Sequence, residues 1–171
     1  IKLYIKLYKM NKISVFIFRR SFRLHDNISL INCLKESKKV IPIFIFTPEQ
    51  IKKNSFKSHN AVQFMIESLE ELNLELKKKK SKLYFFYGRQ HKIINKLKKN
   101  IDIDAIYVNK DYTPYAVKRD KLIKKTCKKN NILFKEYEDI LLRPIGSTKT
   151  NDNVYQKFTP YFRSASLKKV N

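Results

Sequence analysis

A doubly wound α/β fold, five parallel strands with helices on both faces, is what the sequence predicts, and three observations carry it. Short apolar runs of strand length recur five times along the 171 residues. Stretches with helical spacing of apolar residues separate them. The runs are continuously apolar rather than alternating, as in strands buried on both faces of a parallel sheet joined by right-handed crossovers. The architecture expected is Rossmann-like.

The elements follow in order. Residues 13–18, ISVFIF, form the first buried strand. Residues 28–37 read as a helix capped by Asp26 or Asn27, whose short side chains accept from the first free amides. Residues 40–46 are a second buried strand, and Ser58 is placed to cap a long amphipathic helix. In that helix Val62, Met65, Ile66, Leu69, Leu72 and Leu76 recur at helical spacing and predict the buried face. Residues 82–86 give a third strand, 90–99 a helix and 105–108 a fourth strand. Residues 115–130 give a helix with Pro114 suited to its first turn, and 132–137 a fifth strand. The α/β domain is expected over residues 13–140, with 141–171 as a linker: a loop rich in Pro, Gly, Ser, Thr and Asn, then an aromatic segment. Residues 1–12 read as a lead-in, and residues 1–9, which precede Met10, as upstream translation or disorder, with a short edge strand as the alternative.

Bulk properties narrow the function. The length supports one domain with a real core. No apolar run approaches the roughly 18 residues that span a bilayer, and the first residues lack the features of a secretory signal. Cys33 and Cys127 are too few for a disulfide scaffold or zinc site and read as buried free thiols of a reducing, intracellular compartment, cytoplasmic or nuclear. The net charge of +23 favours polyanions, but only seven of the 38 basic residues are arginine. The abundance of Lys, Ile and Asn points to a coding bias that raises charge without a binding cause. The lysine runs 77–80 and 96–99 stand where helices end and complement the helix dipole. Non-specific, salt-sensitive nucleic-acid affinity is expected nonetheless.

Several chemistries are excluded. With only Gly88 and Gly146, the chain has neither a dinucleotide fingerprint nor a phosphate-binding P-loop. His25, His59 and His91 stand apart with no ligand spacing, so no metal site is expected, and Ser21 lacks the tight turn of a nucleophile elbow. What remains is the crevice at the carboxyl ends of the strands, where ligands bind in open α/β sheets when strand order reverses. Three strands end in polar or cationic residues: Arg19-Arg20-Ser21, Thr47-Pro48-Glu49 and Asn109-Lys110-Asp111. If the first and fourth strands are neighbours, Arg20, Asn109 and Asp111 line one crevice with Thr47 and Lys110 close by, and Phe46 offers an aromatic wall for a flat, anionic heterocycle. The competing reading is that Arg19, Arg23 and Asp120 form ion pairs locking loops to helices.

Five segments stand in order: RRSFRLHDN at 19–27, IFIFTPEQI at 43–51, NAVQFMIESLEEL at 60–72, NKDYTPYAVKRD at 109–120 and YQKFTPYF at 155–162. Together they resemble the amino-terminal α/β domain of the DNA photolyase/cryptochrome family. The first departs from the family's pattern at Ser21 and Phe22, which leaves open how its arginines are paired. The resemblance implies an antenna domain whose folate, deazaflavin or flavin passes excitation energy to FAD. Folate binders tend to carry an acid near Tyr115-Ala116, so a deazaflavin or flavin is the antenna expected here. It further implies light-driven repair of pyrimidine dimers, a carbon–carbon lyase reaction, with FAD, lesion pocket and catalytic residues in a helical domain beyond these residues. That domain is expected on a separate chain or lost, and DNA is expected to be met mainly through the completed enzyme, with Gln156 and Lys157 as backbone contacts. An open apolar surface near residues 155–162 is expected where such a domain docks. The alternatives are a cryptochrome-like photosensor half, a stand-alone nucleotide-binding regulatory module and a decaying reading frame.

Overall fold

The computed structural model describes residues 10–52, 58–150 and 153–168, so expectations for residues 1–9 lie outside the described residues. Five strands form one parallel sheet: β1 (Asn11–Phe18), β2 (Ser37–Phe46), β3 (Tyr84–Tyr87), β4 (Ala105–Asn109) and β5 (Leu133–Tyr137). The helices are α1 (Ile28–Glu36), α2 (Pro48–Ile51), α3 (His59–Lys78), α4 (Gln90–Asn100), α5 (Pro114–Lys129) and α6 (Phe158–Ser166). Strand order is β3-β2-β1-β4-β5, so the order reverses between β1 and β4.

Most boundaries agree with the sequence expectation, and the differences have local causes. β1 starts at Asn11 because the backbone amides of Lys12 and Ile13 are anchored by Asp104 Oδ2, at 2.6 and 3.0 Å. β2 starts at Ser37 with no loop after α1, and the Ser37 hydroxyl donates to Ser14 Oγ at 2.7 Å. Asn27 rather than Asp26 caps α1, accepting from Leu30 N at 3.2 Å; Ser58 caps α3, and Thr113 caps α5 with Pro114 following. α6 falls where periodicity predicts no element. Its Phe158 and Phe162, four residues apart on one face, stack at 5.8 Å.

The strand period of two sorts apolar side chains into two layers. Val15, Ile17, Ile43, Ile45, Ile106 and Val108 meet α4 and α5 through Ile93, Ile94, Ile123 and Cys127. Phe16, Phe18, Phe44 and Tyr107 meet α1 and α3 through Leu30, Cys33, Leu69, Leu72 and Leu76. Burying each large side chain contributes about 1.5–3 kcal/mol, so the two layers lock helices to both faces. Ile66, expected on the buried face of α3, is 36% exposed, while Leu69, Leu72 and Leu76 carry that face.

Both thiols are buried and free, and burial pushes each pKa up to about 12. Neither should react with a disulfide reagent at pH 8 in the folded chain, and both should react at once in denaturant. Rapid labelling of the native protein would contradict this packing.

Candidate functional site: the crevice where strand order reverses

β1 and β4 lie side by side, and both chains leave the sheet at their carboxyl ends without crossing each other. The gap they leave is the switch-point crevice of an open α/β sheet. A cavity of about 250 Å3 opens there, lined by Arg19 and Arg20 after β1, Thr47 and Gln50 after β2, Asp111 after β4, Gln90 at the start of α4, and Tyr115 and Arg119 on α5. It shares Thr47, Gln90, Tyr115 and Arg119 with an adjoining groove of about 160 Å3 that reaches Glu49, His91 and Lys118. Together they fall within the size typical of ligand sites, about 300–1,000 Å3. A larger hollow of about 800 Å3 lies away from the strand ends, between the 140–148 loop and α6.

The three arginines after β1 each have a different carboxylate, which answers how they are paired with Ser21 in the motif. Arg19 is almost fully buried and meets Asp120 at 2.8 Å. Burial lowers its pKa to about 10 and Arg119 pushes the same way, while Asp120 opposes both, so it stays cationic at neutral pH. Arg119 shares that carboxylate, its Nε donating to Asp120 Oδ1 at 2.9 Å. Arg20 reaches Asp111 at 3.6 Å with a side chain 62% exposed, so its charge remains available to a ligand. Arg23 turns away and meets Asp139 at 3.1 Å, and Ser21 Oγ donates to the same carboxylate at 2.9 Å. The loop-locking reading therefore describes Arg19 and Arg23, and the crevice reading describes Arg20.

Thr47 is buried at the N-terminus of α2, where Gln50 Oε1 accepts from its backbone amide at 2.9 Å and its hydroxyl at 3.1 Å. Gly88 makes the turn from β3 into α4 at φ +139, a conformation that favours glycine, and this sets Gln90 at the crevice. Asn109 lies beneath the crevice, bordering a void of about 10 Å3 with Arg19, Arg20 and Asp111. Its amide donates to Asn27 Oδ1 and Asp139 Oδ2, both at 3.0 Å, while its Oδ1 is buried with no partner among the described residues. Arg19 Nε is buried and unpartnered as well.

Three expected residues do not line the cavity: Asn109, which lies beneath it, and Phe46 and Lys110, which are turned elsewhere. Phe46 shares the face of Phe44, packing edge-on to that ring at 4.8 Å and stacking on Phe85 at 6.0 Å in the α1 and α3 layer. The aromatic wall comes instead from Tyr115, which is 46% exposed, with the Arg119 guanidinium 5.8 Å from its ring centre. Lys110 is turned to Glu138 at 2.7 Å and lies 5.3 Å from the Tyr112 ring centre. Its pKa is raised by the hydrogen bond to Glu138. Gln156 and Lys157 are exposed just before α6, with Lys157 as its N-cap, and stand apart from the crevice. Gln50, Gln90, Tyr115, Arg119 and Asp139 escaped the sequence reading. The available signal was position, since Gln90 opens α4 and Tyr115 sits in the first turn of α5, both facing the strand ends.

Fold and site together define a doubly wound α/β domain with a polar, arginine-bordered crevice at its switch point. A family model described as DNA photolyase matches residues 14–170. The chain belongs to the DNA photolyase family. It is 29% identical over 168 residues to a deoxyribodipyrimidine photo-lyase of Buchnera aphidicola subsp. Baizongia pistaciae, covering 92% of this chain and 34% of that protein. It is 28% identical over 158 residues to cryptochrome-1 of Anopheles gambiae, covering 85% and 29%. A solved archaeal photolyase from Sulfolobus tokodaii, described as holding two FAD molecules and a novel light-harvesting cofactor, superposes with a TM-score of 0.85 and 45% identity. That match covers 93% of this chain and 36% of the neighbour. The chain thus spans about a third of the length of these relatives. Among the described residues no helix is long and apolar enough to cross a membrane.

Proposed function

We propose that this chain is the antenna-binding α/β domain of a light-driven DNA repair protein and that its crevice holds a flavin or deazaflavin. The single observation that carries the reading is the switch-point cavity bordered by Arg20, Thr47, Gln50, Gln90, Tyr115 and Arg119. A flat heterocycle needs an aromatic wall, which Tyr115 offers, and polar groups for its edge, which Thr47, Gln50 and Gln90 offer. Arg20 keeps a charge for an anionic tail. The unpartnered Arg19 Nε and Asn109 Oδ1 border the void beneath and suit a ligand or water with both donor and acceptor atoms. Likeness to the Sulfolobus tokodaii photolyase supports a flavin, and Tyr115-Ala116 in place of an acid weighs against folate. Bound there, the chromophore supplies light absorption and passes its energy on; the chain's own residues bind, orient and shield it.

The electron-transfer chemistry is assigned to a helical FAD-binding domain, on this polypeptide or another. Support comes from the apolar surface around α6, where Phe158, Phe162, Val154, Leu142 and Ile145 are all at least half exposed. Contiguous apolar surface of this kind suits a protein interface. Repair is favoured over photosensing by the 45% identity with a photolyase.

Titration of the purified chain with FAD, FMN and a reduced folate, read by ligand fluorescence anisotropy, tests the antenna assignment. Flavin should bind and folate should not. Arg20→Gln should weaken the flavin complex about ten- to a hundredfold, the loss of one charge-assisted hydrogen bond of about 1.5–3 kcal/mol. Absence of any flavin signal overturns the antenna reading, and full affinity in the Arg20→Gln chain moves the ligand out of this crevice.

A further inference from the structure

The structure sorts the chain's charge by face. α4 and α5 pack side by side over one face of the sheet and carry eleven lysines and arginines against a single carboxylate, Asp120. That carboxylate is buried and held by Arg19 and Arg119, so it does nothing to offset the surface. On the opposite face α3 exposes four glutamates, Glu67, Glu70, Glu71 and Glu75. A coding bias toward lysine would load both faces alike, and it does not explain this division.

The lysines also fall in register. Lys92, Lys96 and Lys99 recur at spacings of four and three on α4, which makes one exposed stripe. Lys118, Lys121 and Lys125 do the same on α5, and Lys128 continues the row. The second stripe runs about 15 Å along the helix at 1.5 Å per residue, and the two helices lie about 8–10 Å apart. Among the described residues none of these seven lysines has an ion-pair partner; on these two helices only Lys98, Lys124 and Arg119 meet carboxylates. The helix dipole accounts for cations in last turns but opposes Lys92 in the first turn of α4, and neither helix has an acid in its first turn. Like charges at these spacings repel and weaken the helices. A polyanion laid across both stripes would relieve that cost.

We propose that the α4–α5 face is a binding surface for the sugar-phosphate backbone of duplex DNA, apart from the surface around α6 and meeting the groove beside the crevice, among its lysines, only at Lys118. The side chains are lysines, which meet phosphates as point charges and read no base sequence. No aromatic ring lies along the stripes for unpaired bases to stack on; Tyr115 stands at the crevice end only. The buried faces of both helices are spent on the sheet through Ile93, Ile94, Ala116, Ile123 and Cys127, and the exposed Val117 and Leu122 stand on α5 alone, too few to form the apolar wedge that a lipid surface needs. The proposal stands whether or not the crevice takes a flavin.

The test uses the full chain and a fluorescein-labelled 20-base-pair duplex, read by anisotropy across a salt titration. Four substitutions made together, Lys96→Gln, Lys99→Gln, Lys121→Gln and Lys125→Gln, avoid every crevice residue and keep helix propensity. They should flatten the slope of log affinity against log salt by about three to four, close to 0.9 per lost phosphate contact. The matching change of Lys77, Lys78, Lys79 and Lys80 to Gln on the other side of the sheet should leave the slope near that of the parent chain. Equal loss from both sets would reduce the effect to total charge and overturn the proposal. Tighter binding of a single strand than of the duplex, or equal binding to anionic vesicles, would overturn it too. A second readout needs no variant: duplex DNA should protect the α4 and α5 lysines from acetylation while Lys77–Lys80 stay reactive, and the reverse pattern refutes the assignment.

Discussion

Asp120→Asn should cost about 3–5 kcal/mol of unfolding free energy, the usual penalty for leaving buried charge without its counter-ion. The carboxylate holds two guanidinium groups at once. Arg19 contacts it at 2.8 and 3.0 Å with 5% of its side chain exposed, and Arg119 at 2.9 and 3.2 Å with 13% exposed. Asparagine keeps the shape but removes the charge and turns part of the acceptor into a donor facing other donors. Arg19 has little alternative: its other contacts are Gln90 Oε1 at 3.4 Å and the Asn109 carbonyl at 3.5 Å, both long, and its Nε has none. Urea unfolding of the two chains, with the slope against denaturant held in view, measures the difference. A loss below about 1 kcal/mol would mean that the arginines reach water through the crevice instead. The pair Arg19→Met with Asp120→Leu should recover much of the loss, because replacing both partners removes the burial penalty along with the attraction.

The division between what was legible in the sequence and what was not follows the distance over which each interaction acts. Strands β1, β2 and β4 are apolar runs whose signal is local, and helices α3 and α5 announce themselves through Ser58 and Pro114 at their starts. The crevice itself was legible because a switch point follows from topology alone, and Arg20, Thr47 and Asp111 come to it from strand ends that the sequence marks. Phe46 was misassigned because its ring is drawn into a cluster with Phe44 and Phe85, a tertiary contact that no local pattern announces. Thr47, its neighbour, lines the cavity. Lys110 was drawn away by Glu138, which no spacing rule pairs with it. α6 was illegible for a different reason: its stabilising contact is one aromatic pair, Phe158 with Phe162, too short a pattern to establish a period. The charge division between the two faces emerges only once α4 and α5 are known to be neighbours.

Asp139 was also beyond reach, and its removal is the other large effect expected. Its side chain is fully buried, and it gathers four donors from three parts of the chain. Oδ2 accepts from Ser21 Oγ at 2.9 Å, Arg23 Nη2 at 3.1 Å and Asn109 Nδ2 at 3.0 Å, and Oδ1 accepts from the Ile28 amide at 3.0 Å. One carboxylate after β5 thus ties the loop after β1 to the end of β4 and to the N-terminus of α1, where a negative charge also suits the helix dipole. Asp139→Ala strands the part-buried donors of Ser21 and Asn109, each costing about 1–3 kcal/mol, while the Ile28 amide at its exposed position can turn to water, so a total of about 2–6 kcal/mol is expected. Asn109 is poorly placed to absorb the loss, since its Oδ1 already lacks a partner. Arg23, with 37% of its side chain exposed, can turn to water, which places the cost on the neutral donors rather than on the charge. The site should respond as well as the fold, because Arg20 stands between Arg19 and Ser21 in this loop and its position over the cavity depends on the tether. Flavin titration of the chain that remains folded should therefore show weaker binding than in the parent, although Asp139 does not line the cavity. A variant destabilised in urea but unchanged in flavin affinity would show that Arg19 and Asp120 alone hold the loop. A variant that loses both would make Asp139 the positioning residue of the crevice, acting through a loop more than a hundred residues away in sequence.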